Sequence, residues 1–251
     1  LSQYLESPFR PSAFVLKGFA GTGKTTLVST LVNTLPTLDT QVVLLAPTGR
    51  AAKVMTQYTQ KPAFTIHKFI YHPPKKGQGF GQFKTRPNKG KDVLFIVDEA
   101  SMISDKSQGN QLGGSSLLDD LISFVKDGVR CKLLLIGDTA QLPPVGSINS
   151  PALDPEKLER EFDLEVSDFM LTQVIRQASD SAILENATEI RGLQESDHNI
   201  TPQFSLGPDV IRLVDGYDIE EALSKSYSDG NTEETTFIVR SNKRANQYNQ
   251  Q

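Results

Sequence analysis

The octapeptide at residues 18–25, GFAGTGKT, constrains the fold of this chain more than any other feature, because it fits the pattern G-x-x-x-x-G-K-T. It follows an apolar run at 13–17 and precedes a helix-like segment at 25–35. Glycines let the backbone approach phosphate oxygens closely, and the positive end of the following helix favours an anion. The sequence therefore predicts a nucleotide site, in which Lys24 reaches the β and γ phosphates and Thr25 offers its hydroxyl to Mg²⁺. The predicted loop residues are Gly18, Ala20, Gly21, Thr22, Gly23, Lys24, Thr25 and Thr26.

Apolar runs that alternate with helix-like segments predict an α/β fold. The strand-like runs lie at 13–17, 41–46, 92–97, 132–136 and 235–239, and the helix-like segments at 25–35, 49–58, 116–127 and 179–191. Nearly continuous apolarity is typical of parallel strands whose two faces are both covered by helices. A fresh pattern of a strand-like run, a helix starting near Asp218 and another strand-like run begins at about residue 201, so we expect one domain at 1–200 and the start of a second at 201–251.

Two further polar segments follow buried strands. Asp98 and Glu99 come after the apolar run at 93–97, and they predict a carboxylate for Mg²⁺ and a base for the attacking water, respectively. Gln141 follows the run at 132–136, where its amide could sense a γ-phosphate. Without further information, Gln141 is as easily a residue that stabilises a turn.

The charge of the chain is segregated along the sequence. The net charge is −4, yet residues 40–91 contain ten Lys or Arg residues and no acid, which predicts a surface for a nucleic-acid backbone or simply a solvated basic face. The single cysteine, Cys131, favours a reducing compartment. Because neither a signal peptide nor a long apolar run is found, we expect a cytoplasmic protein that does not cross a membrane.

The segment at 71–91, YHPPKKGQGFGQFKTRPNKGK, interrupts the α/β pattern. Its glycines suit the tip of a small hairpin that carries Phe80 and Phe83, although a flexible loop fits the composition equally well. The polar segment at 107–116 predicts a surface loop with no assigned role.

Taken together, the segments GFAGTGKTT, LLAPTGRAAK, TIHK, VDEAS, GDTAQLPPV and LTQVIRQ resemble the motifs of superfamily 1 DNA helicases, of the 5′-to-3′ branch that includes the RecD-like alpha subunit of exodeoxyribonuclease V. The resemblance covers about residues 13–250. It implies a P-loop NTPase of the RecA-like type that uses ATP and Mg²⁺ to move along single-stranded DNA. It also implies that Lys24, Glu99 and Gln141 act in hydrolysis and that Arg176 reaches the γ-phosphate from its own motif.

The same resemblance implies where the chain contacts DNA. Its motifs assign the single-stranded DNA track to Pro47, Thr48, Arg50, Thr65 and His67. The insertion at 71–91 corresponds to a strand-separating pin, in which Phe80 or Phe83 could stack on the base pair of fork DNA. By the same resemblance we expect a monomer that works with other recombination or replication proteins.

Two parts of the family pattern are missing, and alternatives remain open. An adenine-reading glutamine segment is not recognisable near Gln3, and the late motifs of the second domain are absent, so we expect this chain alone to hydrolyse ATP poorly. One alternative is an ATP-gated module that binds single-stranded DNA without helicase activity, and another is a clamp-loader-type ATPase. A regulatory GTPase is disfavoured because Ala245 replaces the aspartate of the N-K-x-D guanine signature.

Overall fold

The computed structural model of the chain describes residues 1–6, 11–35, 40–73, 84–106, 115–173, 181–195, 201–228, 235–236 and 238–248. These residues fall into two compact units, Leu1–Ala178 and Ser179–Gln251. The first unit contains both the phosphate-loop pattern and the acid pair.

The first unit is built on a six-stranded sheet in which every pair of neighbouring strands is parallel. The strands are β1 (Ser12–Gly18), β2 (Gln41–Ala46), β3 (Ala63–Thr65), β4 (Val93–Val97), β5 (Lys132–Gly137) and β6 (Glu165–Leu171), and they lie in the order β3-β2-β4-β5-β1-β6. Because all strands run the same way, their carboxyl ends lie at one edge of the sheet.

Six α-helices connect or flank these strands. They are α1 (Ser2–Glu6), α2 (Lys24–Thr34), α3 (Gly49–Thr59), α4 (Ile66–Ile70), α5 (Leu117–Asp127) and α6 (Pro155–Phe162), and single turns of 3-10 helix lie at Ala100–Met102 and Pro151–Leu153. Helix α5 begins with a capping box, because the Ser116 hydroxyl accepts from the Asp119 N–H and the Asp119 carboxylate accepts from the Ser116 N–H.

Alternate residues of the central strands pack on opposite faces of the sheet. On one face, Phe95 and Leu135 lie in a cluster with residues of α4, α5 and α6. On the other, Ile96 and Leu134 lie with Val28 and Val32 of α2 and with α3. The predicted α/β class, a parallel sheet with helices on both faces, is therefore confirmed.

The central strands match the apolar runs of the sequence, whereas the two edge strands were not predicted. Strand β3 has only three residues, and β6 has exposed polar side chains at Glu165, Ser167 and Asp168, so neither sequence is typical of a buried strand. An edge strand needs only one neighbour and one covered face, so its sequence pattern is weak.

The described residues of the second unit contain three helices joined by irregular segments: α7 (Ala182–Glu195), α8 (Gly216–Tyr227) and α9 (Asn242–Tyr248). The strands predicted in VIRLV (210–214) and at 235–239 are wrong: Val210 forms only an isolated antiparallel bridge with Gly207, and no other described residue of these runs lies in a strand. Ile211 is 74% exposed and Ile238 is 94% exposed, so neither run is buried as a paired strand would be. Helix α8 begins close to Asp218, as predicted, and it is capped by Asp215, whose carboxylate accepts from the Asp218 N–H.

Among the described residues, no helix is both long enough and apolar enough to span a lipid bilayer.

Candidate nucleotide site and nucleic-acid interface

The loop after β1 has the backbone conformation that its glycines permit. Gly21 and Gly23 adopt φ angles of 79° and 92°, which side-chain-bearing residues rarely take. A Cβ on Gly18 would lie 2.7 Å from the Thr22 hydroxyl, so glycine is required there for close packing rather than for its φ angle. The loop thus has the shape that lets backbone N–H groups face a phosphate at the start of α2.

Within this loop, two side chains donate to the loop's own carbonyl groups. The Lys24 ammonium donates to the carbonyl oxygens of Gly18 and Phe19 at 2.6 and 2.9 Å. The buried Thr22 hydroxyl donates to the Phe19 carbonyl at 2.8 Å. Thr25 is half-buried in the first turn of α2, whereas Ala20 and Thr26 are exposed. Lys24 therefore points along the inner side of the loop, toward the position where phosphate oxygens would lie.

The acid pair follows β4. The Asp98 N–H donates to the Leu45 carbonyl of β2 at 3.0 Å. The two Asp98 carboxylate oxygens accept from the Glu99 N–H at 2.9 Å and from the Tyr58 hydroxyl at 2.7 Å. Glu99 adopts a left-handed φ of 53°, an uncommon angle that is often found where a side chain is aimed into a site.

The pKa of Glu99 is shifted by its neighbours, which include two other predicted catalytic residues. Burial is the largest cause that raises the pKa of Glu99, and the negative charges of Asp98 and Asp138 raise it further. The Lys24 ammonium and a hydrogen bond from the Gln141 side chain oppose this rise. Lys24 and Gln141 therefore both lie near enough to Glu99 to act on its charge, although the three residues follow three different strands.

The loop after β5 supplies Asp138 and Gln141. Asp138 is 4% exposed, and its carboxylate accepts from the Ala140 N–H at 2.9 Å, which tightens the turn. The Gln141 N–H donates to the Asp138 carbonyl at 3.3 Å. Gln141 is exposed, so its amide remains accessible from solvent beside Glu99.

The predicted DNA residues lie after β2 and β3. Pro47 and Thr48 are half-buried, and the Thr48 hydroxyl caps α3 by accepting from the Ala51 N–H at 3.2 Å. Arg50 is exposed in the first turn of α3. Thr65 caps α4 in the same way, with its hydroxyl accepting from the Lys68 N–H at 3.2 Å. These side chains share the sheet edge with the phosphate loop.

His67 lies in α4, and its ring centroid is 5.6 Å from that of Tyr71. Burial lowers the pKa of His67. Since an unperturbed imidazole titrates near 6.5, the ring is neutral at pH 7. Any contact of His67 with a nucleic acid would then use hydrogen bonding or stacking rather than charge.

The strand order arranges these groups along the carboxyl edge. The residues predicted to contact DNA follow the adjacent strands β3 and β2, the acid pair follows β4, and Gln141 and the phosphate loop follow β5 and β1. Neighbouring strands lie about 4.8 Å apart, so the whole series extends over roughly 19 Å. The acid pair lies between the predicted DNA residues and the phosphate loop.

The cationic side chains of the basic region, residues 40–91, lie on the surface wherever the structure describes them. All eight of its described cations are exposed, and they are Arg50, Lys53, Lys61, Lys68, Lys84, Arg86, Lys89 and Lys91. Lys68, Arg86 and Lys89 also line a cavity of about 550 Å³ together with Phe64 and Phe69. Proteins that bind single-stranded nucleic acids combine cationic side chains, which contact the backbone, with aromatic rings, on which the bases stack.

Only the base of the predicted hairpin falls within the described residues. The His72 N–H donates to the Lys84 carbonyl at 2.9 Å, and Tyr71 and Thr85 form an antiparallel bridge. The two ends of the insertion therefore pair with each other. Phe80, Phe83 and Arg176 lie outside the described residues, as does most of the predicted loop at 107–116.

Two residues at the site were not singled out from the sequence. Asp138 follows a buried strand just as Asp98 does, so the same rule could have found it. Tyr58 lies ten residues after Thr48 on α3, and only the fold brings its hydroxyl to Asp98.

The sequence profile of a family described as an AAA domain matches residues 3–147. That match covers more than half of the chain. The chain belongs to this family.

Two curated relatives of this AAA domain carry more specific names. This chain is 35% identical over 173 residues to the ATP-dependent RecD2 DNA helicase of Deinococcus radiodurans, a match that covers 69% of this chain and 21% of that protein. It is 31% identical over 180 residues to the ATP-dependent DNA helicase dda of Enterobacteria phage T4, covering 70% of this chain and 37% of the relative. The chain thus spans well under half the length of either relative. The resemblance to superfamily 1 helicases is confirmed.

Among solved structures, the AAA domain is similar to the Pif1 helicase from Candida albicans, with 19% identity, a TM-score of 0.48, and coverage of 87% of this chain and 51% of that one. It is also similar to Pif1 from Bacteroides sp in complex with ADP-AlF4, with 21% identity, a TM-score of 0.43, and coverage of 74% of this chain and 44% of that one.

Proposed function

We propose that this chain is the nucleotide-hydrolysing part of an ATP-dependent DNA helicase that moves 5′ to 3′ on single-stranded DNA. The observation that carries the proposal is that Lys24 and Gln141 both act on Glu99 at the carboxyl edge of the sheet, the same edge that carries the predicted DNA residues after β2 and β3. The curated relatives, both named as ATP-dependent DNA helicases, support the same activity.

The residues of the loop fit a nucleoside triphosphate with Mg²⁺. The left-handed glycines and Lys24 suit phosphate oxygens, and the hydroxyl of Thr25 and the carboxylate of Asp98 are oxygen donors of the kind that Mg²⁺ prefers. Bound there, Mg²⁺ would neutralise charge that develops on the phosphates.

Glu99 is the base of the proposed hydrolysis. Its carboxylate accepts the proton of the attacking water, and its raised pKa makes it a stronger base than an ordinary glutamate. Gln141 orients the same water and donates to the γ-phosphate, so its position depends on whether ATP or ADP is bound. Arg176 supplies positive charge to the γ-phosphate in the transition state.

DNA binds along the part of the edge formed by β2 and β3. Arg50 contacts phosphate, and Pro47, Thr48, Thr65 and His67 line the track. The pairing at the base of the insertion at 71–91 supports a hairpin pin, whose Phe80 or Phe83 stacks at fork DNA.

The remaining assignments complete the proposal. Residues 1–200 belong to the first RecA-like motor domain and residues 201–251 to the second. The protein works in the cytoplasm, where the thiol of Cys131 stays reduced, as a monomer that serves other recombination or replication proteins.

ATP turnover by the intact protein, with and without single-stranded DNA, tests this function. We expect DNA to stimulate turnover, Glu99→Gln to lower it about 10²–10⁴-fold, and unwinding to require a 5′ tail rather than a 3′ tail. ATP-dependent DNA binding without turnover would instead identify the ATP-gated binding module. An ATP turnover rate that does not change when single-stranded DNA is added would favour the clamp-loader-type ATPase.

A further inference from the structure

The Tyr58 hydroxyl contacts the carboxylate that the proposed function assigns to Mg²⁺. Tyr58 lies in the last turn of α3 and donates to Asp98 Oδ2 at 2.7 Å, while Asp98 Oδ1 accepts from the Glu99 N–H at 2.9 Å. Each carboxylate oxygen therefore has one protein donor. The carboxylate is therefore held at both of its oxygens, which restricts its rotation.

Tyr58 is itself held in place by α2 and α3. Its carbonyl oxygen accepts from the Ser29 hydroxyl of α2 at 3.2 Å, and its ring packs against the cluster that contains Val28 and Met55. The ring cannot swing away without leaving this cluster. Burial is the largest cause that raises the pKa of Tyr58, followed by the charge of Asp98.

We propose that Tyr58 is a positioning residue that orients Asp98 for the Mg²⁺ that accompanies the nucleotide. The proposal rests on the assignment of Asp98 under the proposed function. Mg²⁺ requires a nearly ideal octahedral arrangement of oxygens, so the orientation of its carboxylate matters more than it does for Ca²⁺. Groups that hold a ligand in place typically change metal affinity about 10- to 100-fold when they are removed.

Tyr71 provides a matched control for Tyr58. Its hydroxyl also donates to an aspartate, Asp120 Oδ2, at 2.6 Å, and burial likewise raises its pKa. Asp120 lies in α5, away from the acid pair at the end of β4. Tyr71→Phe therefore removes the same chemical group and a similar hydrogen bond without touching Asp98.

The test measures binding of fluorescent ADP to the full chain as the free Mg²⁺ concentration is varied, with a parallel titration in EDTA. We expect Tyr58→Phe to raise the Mg²⁺ concentration at half-maximal enhancement about 10-fold or more, with ADP affinity in EDTA unchanged. Tyr71→Phe should match the wild type in both titrations. Thermal unfolding checks that both variants fold.

Three outcomes would contradict the proposal, and they separate it from the proposed function. If the Mg²⁺ concentration at half-maximal enhancement of ADP binding is the same for Tyr58→Phe and the wild type, only the role of Tyr58 is wrong. An equal shift in both variants would mean that the loss of any such hydrogen bond acts through general stability. If ADP binding to the wild type does not depend on Mg²⁺ at all, the assignment of Asp98 fails and the role of Tyr58 fails with it.

Discussion

The Lys24 ammonium donates to the Gly18 carbonyl oxygen at 2.6 Å, within the same loop. A second bond, to the Phe19 carbonyl oxygen, holds the lysine at the inner side of the loop. Side-chain ordering is a cost of binding, and a pre-positioned lysine lowers that cost.

Lys24→Ala should therefore weaken nucleotide binding strongly. A hydrogen bond to a charged group contributes about 1.5–3 kcal/mol, which corresponds to roughly 10- to 150-fold in affinity. Calorimetric titration with ADP and Mg²⁺ measures the change. Lys126 is the matched control, because its ammonium also donates to a carbonyl, that of Phe162, but at the end of α5. Equal affinity of Lys24→Ala and Lys126→Ala would contradict the phosphate role.

Gly23→Ala should destabilise the first unit and weaken nucleotide binding. Its φ of 92° lies in the left-handed region, where a Cβ costs about 1–2 kcal/mol, or roughly 2–8 °C in Tm. Gly49→Ala is the control, since no atom lies within 4 Å of the added Cβ and the residue begins α3. Thermal unfolding should show no loss for Gly49→Ala. If Gly23→Ala is as stable as the wild type, the loop accommodates the Cβ by changing its backbone conformation, which would contradict this prediction.

Glu99→Gln should stabilise the protein at neutral pH although it abolishes the base. Because burial raises the pKa of Glu99 in the folded state, its ionisation costs stability as the pH rises through that pKa. The variant should unfold about 1–3 °C higher at pH 7, and the difference should vanish below the unfolded pKa of about 4.3.

The comparison requires thermal unfolding from pH 4 to pH 8 without nucleotide. Glu165→Gln, at an exposed position of β6, controls for the loss of one negative charge. A stability difference that stays constant over this pH range would contradict the buried-carboxylate explanation.

Arg50→Ala should weaken binding of single-stranded DNA and lower its dependence on salt. Removal of one phosphate contact reduces the slope of log K against log salt by about 0.7 for a single strand. Arg160→Ala is the control, because that side chain is 70% exposed on α6, outside the basic region. Fluorescence anisotropy at several salt concentrations measures both slopes. If the slope of log K against log salt is the same for the two variants, Arg50 does not contact the phosphates of single-stranded DNA.

The sequence by itself determined the elements that depend on local pattern. The phosphate loop is recognisable because its glycines are needed where they stand, and the four central strands are recognisable because both of their faces are buried. Local pattern failed at 210–214 and in the described residues of 235–239, where Ile211 and Ile238 are exposed instead of buried in a sheet. Periodicity reports what a segment can bury, and not whether a partner is available.

Only the tertiary structure decided which of these elements are neighbours. The order β3-β2-β4-β5-β1-β6 places Glu99 and Gln141 at the same edge as Lys24, although they are 75 and 117 residues away along the chain. Tyr58 has no motif of its own, and its hydroxyl reaches Asp98 only because α3 packs beside α2 across β2 and β4. Strand order and helix placement depend on how all the apolar faces are buried together, so no local pattern contains them.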